Sequence, residues 1–216
     1  MTTGVADASA PGIKPLGESA FLIELAGGSS GRAAALAAQL RDAPPHAVLD
    51  AVAAYDTVAV YFDPLACSPL ELSGLLLREC ATISAPTQEA TVEHVIRVVY
   101  EGEDLDAVAT RTGLSRAGVV EIHAAGQYSV LAVGFVPGFA YLGALDDRLH
   151  IPRRDTPRTR VPAGSVAIAG GQTAVYPLTT PGGWHIIGRT EARMFDPNRS
   201  PPSLLAAGDR VRFVPA

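Results

Sequence analysis

The 216-residue chain has few of the residues that build disulfide frameworks, metal centres or nucleic-acid interfaces. Its two cysteines, Cys67 and Cys80, lack Cys-x-x-Cys spacing and indicate reduced thiols in a cytoplasmic protein. Lysine and arginine total 17 against 22 acidic residues, so the net charge of −5 argues against broad binding to nucleic-acid phosphates. No uninterrupted apolar run reaches the roughly 18 residues of a membrane span, and the start of the chain lacks the pattern of an export signal.

The residues that are present favour a globular protein, because 48% are hydrophobic and only 18% are charged. Apolar periodicity and turn residues predict the order β-α-β-β-α in the first part of the chain. This order favours a ferredoxin-like split unit. The elements are strand Ala20–Leu25, helix Gly31–Leu40, hairpin strands Ala47–Ala54 and Thr57–Phe62, and a helix that begins with a capping box at Ser68.

A change of pattern at Ser84–Glu89, which contains a proline and no apolar periodicity, predicts a domain boundary. We therefore expect domains over residues 1–88 and 89–216. From Gln127 onward, short β-prone runs separated by glycine and proline indicate a barrel or a sandwich. Two short helices are expected before that point, with N-caps at Asp104 and Ser115 and left-handed C-terminal caps at Gly113 and Gly126.

Two segments combine stiff turns with aromatic rings. Gly134–Gly143 places three aromatics among glycine and proline, which suits either the wall of a ligand pocket or core aromatics at a barrel corner. Pro162–Arg189 holds the only tryptophan, Trp184, which could be a pocket wall or a core anchor. Its glycines permit turns and do not form a phosphate-binding loop, because no Gly-Lys-Ser/Thr follows Gly170-Gly171.

A third segment, Ile151–Pro162, carries four arginines against one aspartate and so forms a cationic patch on an acidic protein. The planar guanidinium suits carboxylates and phosphates, which indicates an anionic substrate or an acidic partner. The alternative is that these are solvated loop arginines.

Other chemistries lack a motif. The chain has no Gly-x-Ser-x-Gly elbow and no His-Glu-x-x-His, and its five histidines are too dispersed for a metal cluster. His123, His150 and His185 could each serve as a general base by residue type, but spacing does not single one out. No catalytic residue or metal ligand is therefore assigned.

Several longer blocks, taken in order, carry a family signature. They are Gly134–Gly143, Thr156–Val166, Ala169–Thr173, Pro181–Thr190, Phe195–Pro197 and Gly208–Phe213, with Leu16–Ala20 and Tyr61–Pro64 nearer the start. Together they resemble the small-subunit family of bacterial ATP-dependent 5-oxoprolinases, also known as allophanate hydrolase subunit 1 and Kip-type kinase inhibitor. One departure is Ala140, where the family usually has proline.

The resemblance implies an α+β fold, with an N-terminal α/β domain, ferredoxin-like by the element order above, and a C-terminal cyclophilin-like β-barrel. It implies a subunit of an ATP-dependent complex that cleaves 5-oxo-L-proline to L-glutamate and is inactive alone. The implied partners are a larger subunit with a homologous barrel and a lactam-utilisation subunit. ATP is expected at the level of the complex, because this chain has no nucleotide-binding motif.

Within the matched motifs, residue chemistry indicates an anion-binding and aromatic substrate site. Arg158 and Arg160 lie two apart in an extended segment, so we expect both side chains on the same side. The candidate residues are Arg158 and Arg160 for the anion, Phe139, Tyr141 and Trp184 for the walls, and Gln172 for a polar contact.

Two other functions remain open. The chain could inhibit a sensor histidine kinase without any catalysis of its own, which a kinase-autophosphorylation assay would reveal. It could instead form part of a carboxyltransferase, as in the urea carboxylase and allophanate pathway, and act with a biotin carrier. A neighbouring biotin carboxylase gene would favour that alternative.

Overall fold

A computed structural model of the chain describes residues 11–25, 30–83 and 91–216. The chain divides into two compact units, Met1–Ala90 (unit 1) and Thr91–Ala216 (unit 2). The predicted boundary segment Ser84–Glu89 lies outside the described residues. Across those described ranges, none of the helices has the length and apolarity needed to cross a membrane.

The described part of unit 1 is an antiparallel sheet with two helices, and it confirms the predicted element order. The sheet has the strand order β1-β2-β4-β3, with an edge strand, β1, that was not predicted. Ile23, Leu36, Val58 and Leu76 are fully buried in its core. The elements are β1 Gly12–Pro15, β2 Ala20–Glu24, α1 Ser30–Asp42, β3 Val48–Ala54, β4 Thr57–Phe62 and α2 Pro69–Thr82.

The start of α2 differs from the prediction in one detail. Pro69 occupies the first turn as expected, but the Ser68 side chain makes no capping hydrogen bond. The predicted capping box is therefore wrong. Both cysteines of this unit are free thiols, and burial raises the pKa of Cys80 to about 11.

Unit 2 contains helices α3 and α4 and a strongly bent sheet, made mostly of antiparallel pairs. The sheet order is β5-β13-β6-β7-β10-β9-β12, in which only β5 and β13 run parallel, and β8 pairs with β11 separately. The bounds are β5 Glu93–Val98, α3 Leu105–Thr112, α4 Arg116–Ala125, β6 Gln127–Val133, β7 Ala140–Gly143, β8 Arg158–Val161, β9 Ser165–Ala169, β10 Gln172–Val175, β11 Thr180–Gly182, β12 His185–Arg189 and β13 Arg210–Pro215.

The end strands of this sheet meet without forming a ladder. A single antiparallel bridge joins Val99, just after β5, to Arg189 at the end of β12. Their backbone N–H and C=O groups form two hydrogen bonds of 2.9 Å. The described strands of unit 2 therefore form a curved, open sheet, and the closed β-barrel expected from the family resemblance is not formed, because a single bridge stands where a full ladder would close it.

The predicted helix caps of unit 2 are only partly confirmed. Ser115 accepts a hydrogen bond from the Gly118 amide at 3.0 Å, and Gly113 is left-handed at φ +69°. Gly126 is not left-handed, because it continues in an extended conformation at φ −66° and ψ 140°. Asp104 occupies the N-cap position of α3, but its carboxylate is used elsewhere, as described below.

His123 of α4 lies in the core of unit 2 and is fully buried. The Thr173 hydroxyl donates to the Ala167 carbonyl at 3.0 Å, so it accepts from His123 Nε2–H at 2.8 Å. Nδ1 then accepts from the Tyr100 hydroxyl, also at 2.8 Å. Burial lowers the pKa of the ring to about 3, so His123 is a neutral core residue with both nitrogens satisfied.

His123 is expected to make the protein less stable by about 2 kcal/mol on going from pH 7 to pH 5. The folded-state pKa is about 3 and the unfolded ring titrates at a pKa of about 6.5. Because only the unfolded chain takes up the proton in this range, stability is present above pH 6.5 and falls as the pH drops toward 3. His123→Gln keeps an amide donor for Thr173 and removes the titration, so urea unfolding of this variant should lose that part of the pH slope. Equal slopes in the two proteins would assign the effect to other groups.

Candidate aromatic cavity

Unit 2 contains a cavity of about 300 Å³ whose walls are mainly aromatic. We call it the aromatic cavity. Three of its lining residues were predicted as pocket walls from the sequence. Most of the other lining residues lie in the loops that precede β7, β8 and β12. The lining residues are Phe135, Phe139, Tyr141, Arg153, Pro157, Tyr176, Pro181, Gly182, Gly183 and Trp184.

Phe139 is the centre of the ring cluster. Its ring meets Tyr141, Tyr176 and Trp184 edge to face, with centroid separations of 4.9, 5.3 and 5.8 Å. Tyr141 and Trp184 also meet each other at 6.0 Å. Such edge-to-face pairs stabilise one arrangement of the rings beyond the burial of their area, so the walls of the cavity are preformed.

A tight turn holds the remaining ring at the rim. Phe135 has φ +75°, a conformation rare outside glycine, and its side chain is 63% exposed. The turn is closed by hydrogen bonds from the Phe139 amide to the Val136 carbonyl and from the Gly134 amide to the Phe139 carbonyl, both 3.0 Å. A strained backbone that places a large ring in solvent beside a cavity is typical of a binding loop.

The floor of the cavity requires glycine at position 182. A Cβ on Gly182 would collide with the hydroxyl and ring of Tyr176. The missing side chain lets strand β11 approach Tyr176 closely. This close approach explains part of the glycine and proline pattern seen in the sequence.

Arg153 supplies the positive charge of the cavity. Its guanidinium lies 6.0 Å from the centroid of the Trp184 ring, within the range of a cation–π contact. It forms no hydrogen bond or ion pair with the residues that the structure describes. Burial raises the pKa of Tyr176, so this hydroxyl is neutral at physiological pH. The cavity therefore combines flat apolar walls, a neutral phenol and one charged guanidinium, which suits a small ring compound with an anionic group.

The neighbouring arginines are held by a buried carboxylate. Asp104 is 4% exposed, and its Oδ1 accepts from Arg154 Nη1 and Arg158 Nη2, both at 2.8 Å. Its Oδ2 accepts from the backbone amide of Ile186 at 2.7 Å. We call this set the Asp104 clamp; it joins the start of α3 to strand β12 and to the arginine-rich segment that carries Arg153.

The charge state of the clamp follows from its contacts. Burial would raise the pKa of Asp104, but hydrogen bonds from Arg158 and from the Ile186 amide outweigh it and lower the pKa below its usual value. Arg158 also pairs with Glu103 at 2.9 Å, and its pKa is raised chiefly by its hydrogen bond to Asp104. Asp104 is therefore ionised near neutral pH, and Arg158 is paired through Nε with Glu103 and through Nη2 with Asp104, while its buried Nη1 has no partner among the described residues.

The structure brings together only some of the predicted site residues. Phe139, Tyr141 and Trp184 line one cavity. Arg158 belongs to the Asp104 clamp, while Arg160 is exposed on β8 and Gln172 begins β10; neither of the last two lines the cavity.

Three charged or aromatic side chains line the cavity without having been predicted as site residues. They are Arg153, Phe135 and Tyr176. Arg153 could have been found from alternation along an extended segment, because Arg154 next to it faces the Asp104 clamp. Phe135 lies in the segment Gly134–Gly143 and Tyr176 lies in the segment Pro162–Arg189. In both segments other aromatic residues were chosen as candidates.

The other two histidines considered as general bases, His150 and His185, have structural partners. His150 Nε2 donates to the Leu145 carbonyl at 2.8 Å, and His185 Nε2 donates to the Pro152 carbonyl at 3.0 Å. Within the described ranges no three His, Cys, Asp or Glu side chains come close enough together to hold a metal ion.

The fold and the cavity define a two-unit α+β protein with a preformed aromatic cavity. The chain belongs to the family of carboxyltransferase domains, subdomains C and D, which it matches over residues 11–205. This result confirms the family expected from the sequence blocks.

Similar proteins include two that are named as subunits of 5-oxoprolinase. The one from Bacillus subtilis (strain 168) is 38% identical over 219 residues, which cover 94% of this chain and 91% of that protein. The one from Escherichia coli O157:H7 is 57% identical over 123 residues, or 56% of each chain, so that match spans about half of the relative's length. Among solved structures, TTHA0988 aligns with a TM-score of 0.81 at 42% identity, covering 91% of this chain and 40% of that chain.

Proposed function

We propose that this protein is a subunit of a 5-oxoprolinase complex that cleaves 5-oxo-L-proline to L-glutamate with ATP, and that the aromatic cavity forms part of its substrate site. Similarity to two proteins named as 5-oxoprolinase subunits supports the activity. The strand order of unit 1 supports a ferredoxin-like domain, and the curved sheet of unit 2 supports a cyclophilin-like arrangement with an open seam.

The observation that carries the proposal is the pairing of Arg153 with the flat walls of the aromatic cavity. 5-Oxoproline is a five-membered lactam with one carboxylate. The ring suits the space beside Tyr141 and Trp184, and the carboxylate suits the guanidinium edge of Arg153, which no described residue occupies. The lactam amide is left for activation by groups outside this cavity.

The chemistry divides between subunits in this proposal. Phosphoryl transfer from ATP to the lactam oxygen would turn an unreactive amide into a group that water opens, with loss of phosphate. The residues of this chain bind and orient the substrate. The proposed partners are a larger subunit with a homologous barrel and a lactam-utilisation subunit, at which ATP and the remaining catalytic groups are expected.

The other predicted site residues receive proposed roles away from the cavity wall. Arg158 positions the segment of Arg153 through its bonds to Asp104. Arg160, which is exposed on β8, and Gln172 are proposed as polar contacts to the substrate or to a partner.

The isolated chain is expected not to release glutamate from 5-oxoproline, whereas the complex reconstituted with its two partner subunits should do so with ATP. The test is glutamate release measured for the full set of subunits and for each set that lacks one of them. Robust ATP-dependent release by this chain alone, or undiminished release without it, would contradict the proposal.

One observation favours a second candidate, because the family is defined by carboxyltransferase domains. In that case the chain would act with a biotin carrier. Transfer of a labelled carboxyl group from carboxybiotin on a carrier protein to an acceptor such as urea, with release of free biotin on the carrier and without glutamate release from 5-oxoproline, would support this second function instead.

A further inference from the structure

A second, smaller cavity lies in unit 2, with a volume of about 220 Å³. Its lining differs from that of the aromatic cavity, because it contains no aromatic side chain other than one imidazole. The lining residues are Ala107, Arg111, Arg154, Asp155, Thr156 and His185. Ala107 and Arg111 are one turn apart on α3 and so share one face of that helix.

Alternation along two extended segments separates the two cavities. Arg153 and Trp184 line the aromatic cavity, while Arg154 and His185, each the next residue, line the smaller one. The two segments are joined by a hydrogen bond from the Arg154 amide to the Gly183 carbonyl at 2.8 Å. The smaller cavity is therefore a separate compartment behind the wall that carries Arg153.

Two buried polar atoms of this lining have no partner among the described residues: Nδ1 of His185 and Nε of Arg154. The His185 residue is only 2% exposed. Its Nε2 carries the proton that it donates to the Pro152 carbonyl, so Nδ1 of the neutral ring is an acceptor. Buried polar groups are seldom left unpaired, and such an exception indicates a missing ligand or ion.

The charges around this cavity favour an anion. The most buried charged groups are Asp104, Arg158 and Arg154, with side chains 5%, 17% and 32% exposed, and they sum to one positive charge. Glu103 and Asp155 are exposed, so solvent screens their carboxylates. Arg111 is likewise exposed and has no ion pair in the described part of the chain, so its charge offsets that of Asp155 in the lining and the net charge of the buried groups stays positive.

We propose that this cavity binds a small oxyanion that carries a proton, such as hydrogen phosphate or bicarbonate. The anionic oxygens accept hydrogen bonds from Arg111 and from Nε of Arg154, and the O–H donates to Nδ1 of His185. This assignment is independent of the proposed function, since it concerns a different cavity and a different ligand.

The test is calorimetric titration of the full chain with inorganic phosphate and, separately, with bicarbonate, with chloride as the reference anion. Wild-type protein is expected to bind one or both oxyanions saturably, and the comparison of the two arms identifies which. Arg111→Gln should weaken binding about tenfold, because it removes one charge-assisted hydrogen bond. Ala107→Glu, which adds a carboxylate at the wall without removing a buried group, should abolish binding.

Arg116→Gln is the matched control. Arg116 is an exposed arginine of the same unit whose partner is Asp106 and which does not line the cavity. No saturable heat with either oxyanion, or equal weakening in Arg111→Gln and Arg116→Gln, would overturn the assignment. Binding of 5-oxoproline is not involved, so failure here leaves the proposed function untouched.

Discussion

Replacing Asp104 with alanine is expected to lower the free energy of unfolding by about 3–5 kcal/mol. The carboxylate is 5% exposed and accepts from Arg154, Arg158 and the Ile186 amide. Its removal leaves two guanidinium groups, both at least two-thirds buried, without their shared counter-charge. Chemical denaturation of purified full-length protein measures the change.

Asp106→Ala is the control for this substitution. Asp106 lies two residues further along α3, its side chain is 74% exposed, and it pairs with the exposed Arg116. Such exposed pairs contribute at most about 1 kcal/mol. A loss in Asp104→Ala no larger than that in Asp106→Ala would show that the clamp does not stabilise unit 2.

The Asp104 clamp also makes the stability of the protein depend on pH in the acidic range. The pKa of Asp104 is lowered in the folded state, so its contribution to stability is present above the unfolded value of about 3.9 and is lost as the pH falls through the folded pKa. In Asp104→Asn this acid-dependent loss should be absent, because the amide does not titrate.

Arg153→Gln is expected to lower kcat/KM for 5-oxoproline by about 10- to 100-fold in the reconstituted complex. The change removes a charge-assisted hydrogen bond to the substrate carboxylate, worth about 1.5–3 kcal/mol, and each 1.4 kcal/mol corresponds to a factor of ten. Arg153 makes no hydrogen bond or ion pair to the rest of the described chain, so unfolding should change little. Steady-state kinetics and thermal unfolding together separate these effects.

Arg148→Gln controls for loss of charge alone. Arg148 is 63% exposed, pairs with Asp146 and does not line the aromatic cavity. Equal kinetics for wild type and Arg153→Gln would remove Arg153 from the substrate site. Loss of complex formation in Arg153→Gln would instead place it at an interface with a partner.

Local patterns in the sequence were sufficient for most of the secondary structure. The hairpin on either side of Tyr55-Asp56 and the caps at Ser115 and Gly113 depend on residues close in the chain, and the structure confirms them. The prediction of a left-handed Gly126 was wrong. This glycine is extended, and the chain passes from it directly into β6. Periodicity carries no information about such a junction.

The site was only partly predictable, because the four arginines of the segment Ile151–Pro162 look alike in sequence. Arg153 faces the aromatic cavity, while Arg154 and Arg158 bind a carboxylate about fifty residues earlier in the chain. Asp104 itself appeared to be a helix cap, since its carboxylate partners are distant in sequence. The aromatic residues were easier, since a ring beside glycine and proline in a β-rich region often lines a turn or a pocket.

Titration of the Trp184 fluorescence of the isolated chain with 5-oxo-L-proline tests whether the aromatic cavity binds the substrate. Trp184 is the only tryptophan and lines the aromatic cavity, so its emission reports on that site alone. We expect a saturable change with 5-oxoproline and binding at least about tenfold weaker for pyrrolidin-2-one, the same lactam without the carboxylate. Arg153→Gln should remove the difference between the two ligands. No change with 5-oxoproline, or equal affinity of the wild-type chain for both lactams, would contradict binding of the substrate carboxylate by Arg153 in the aromatic cavity.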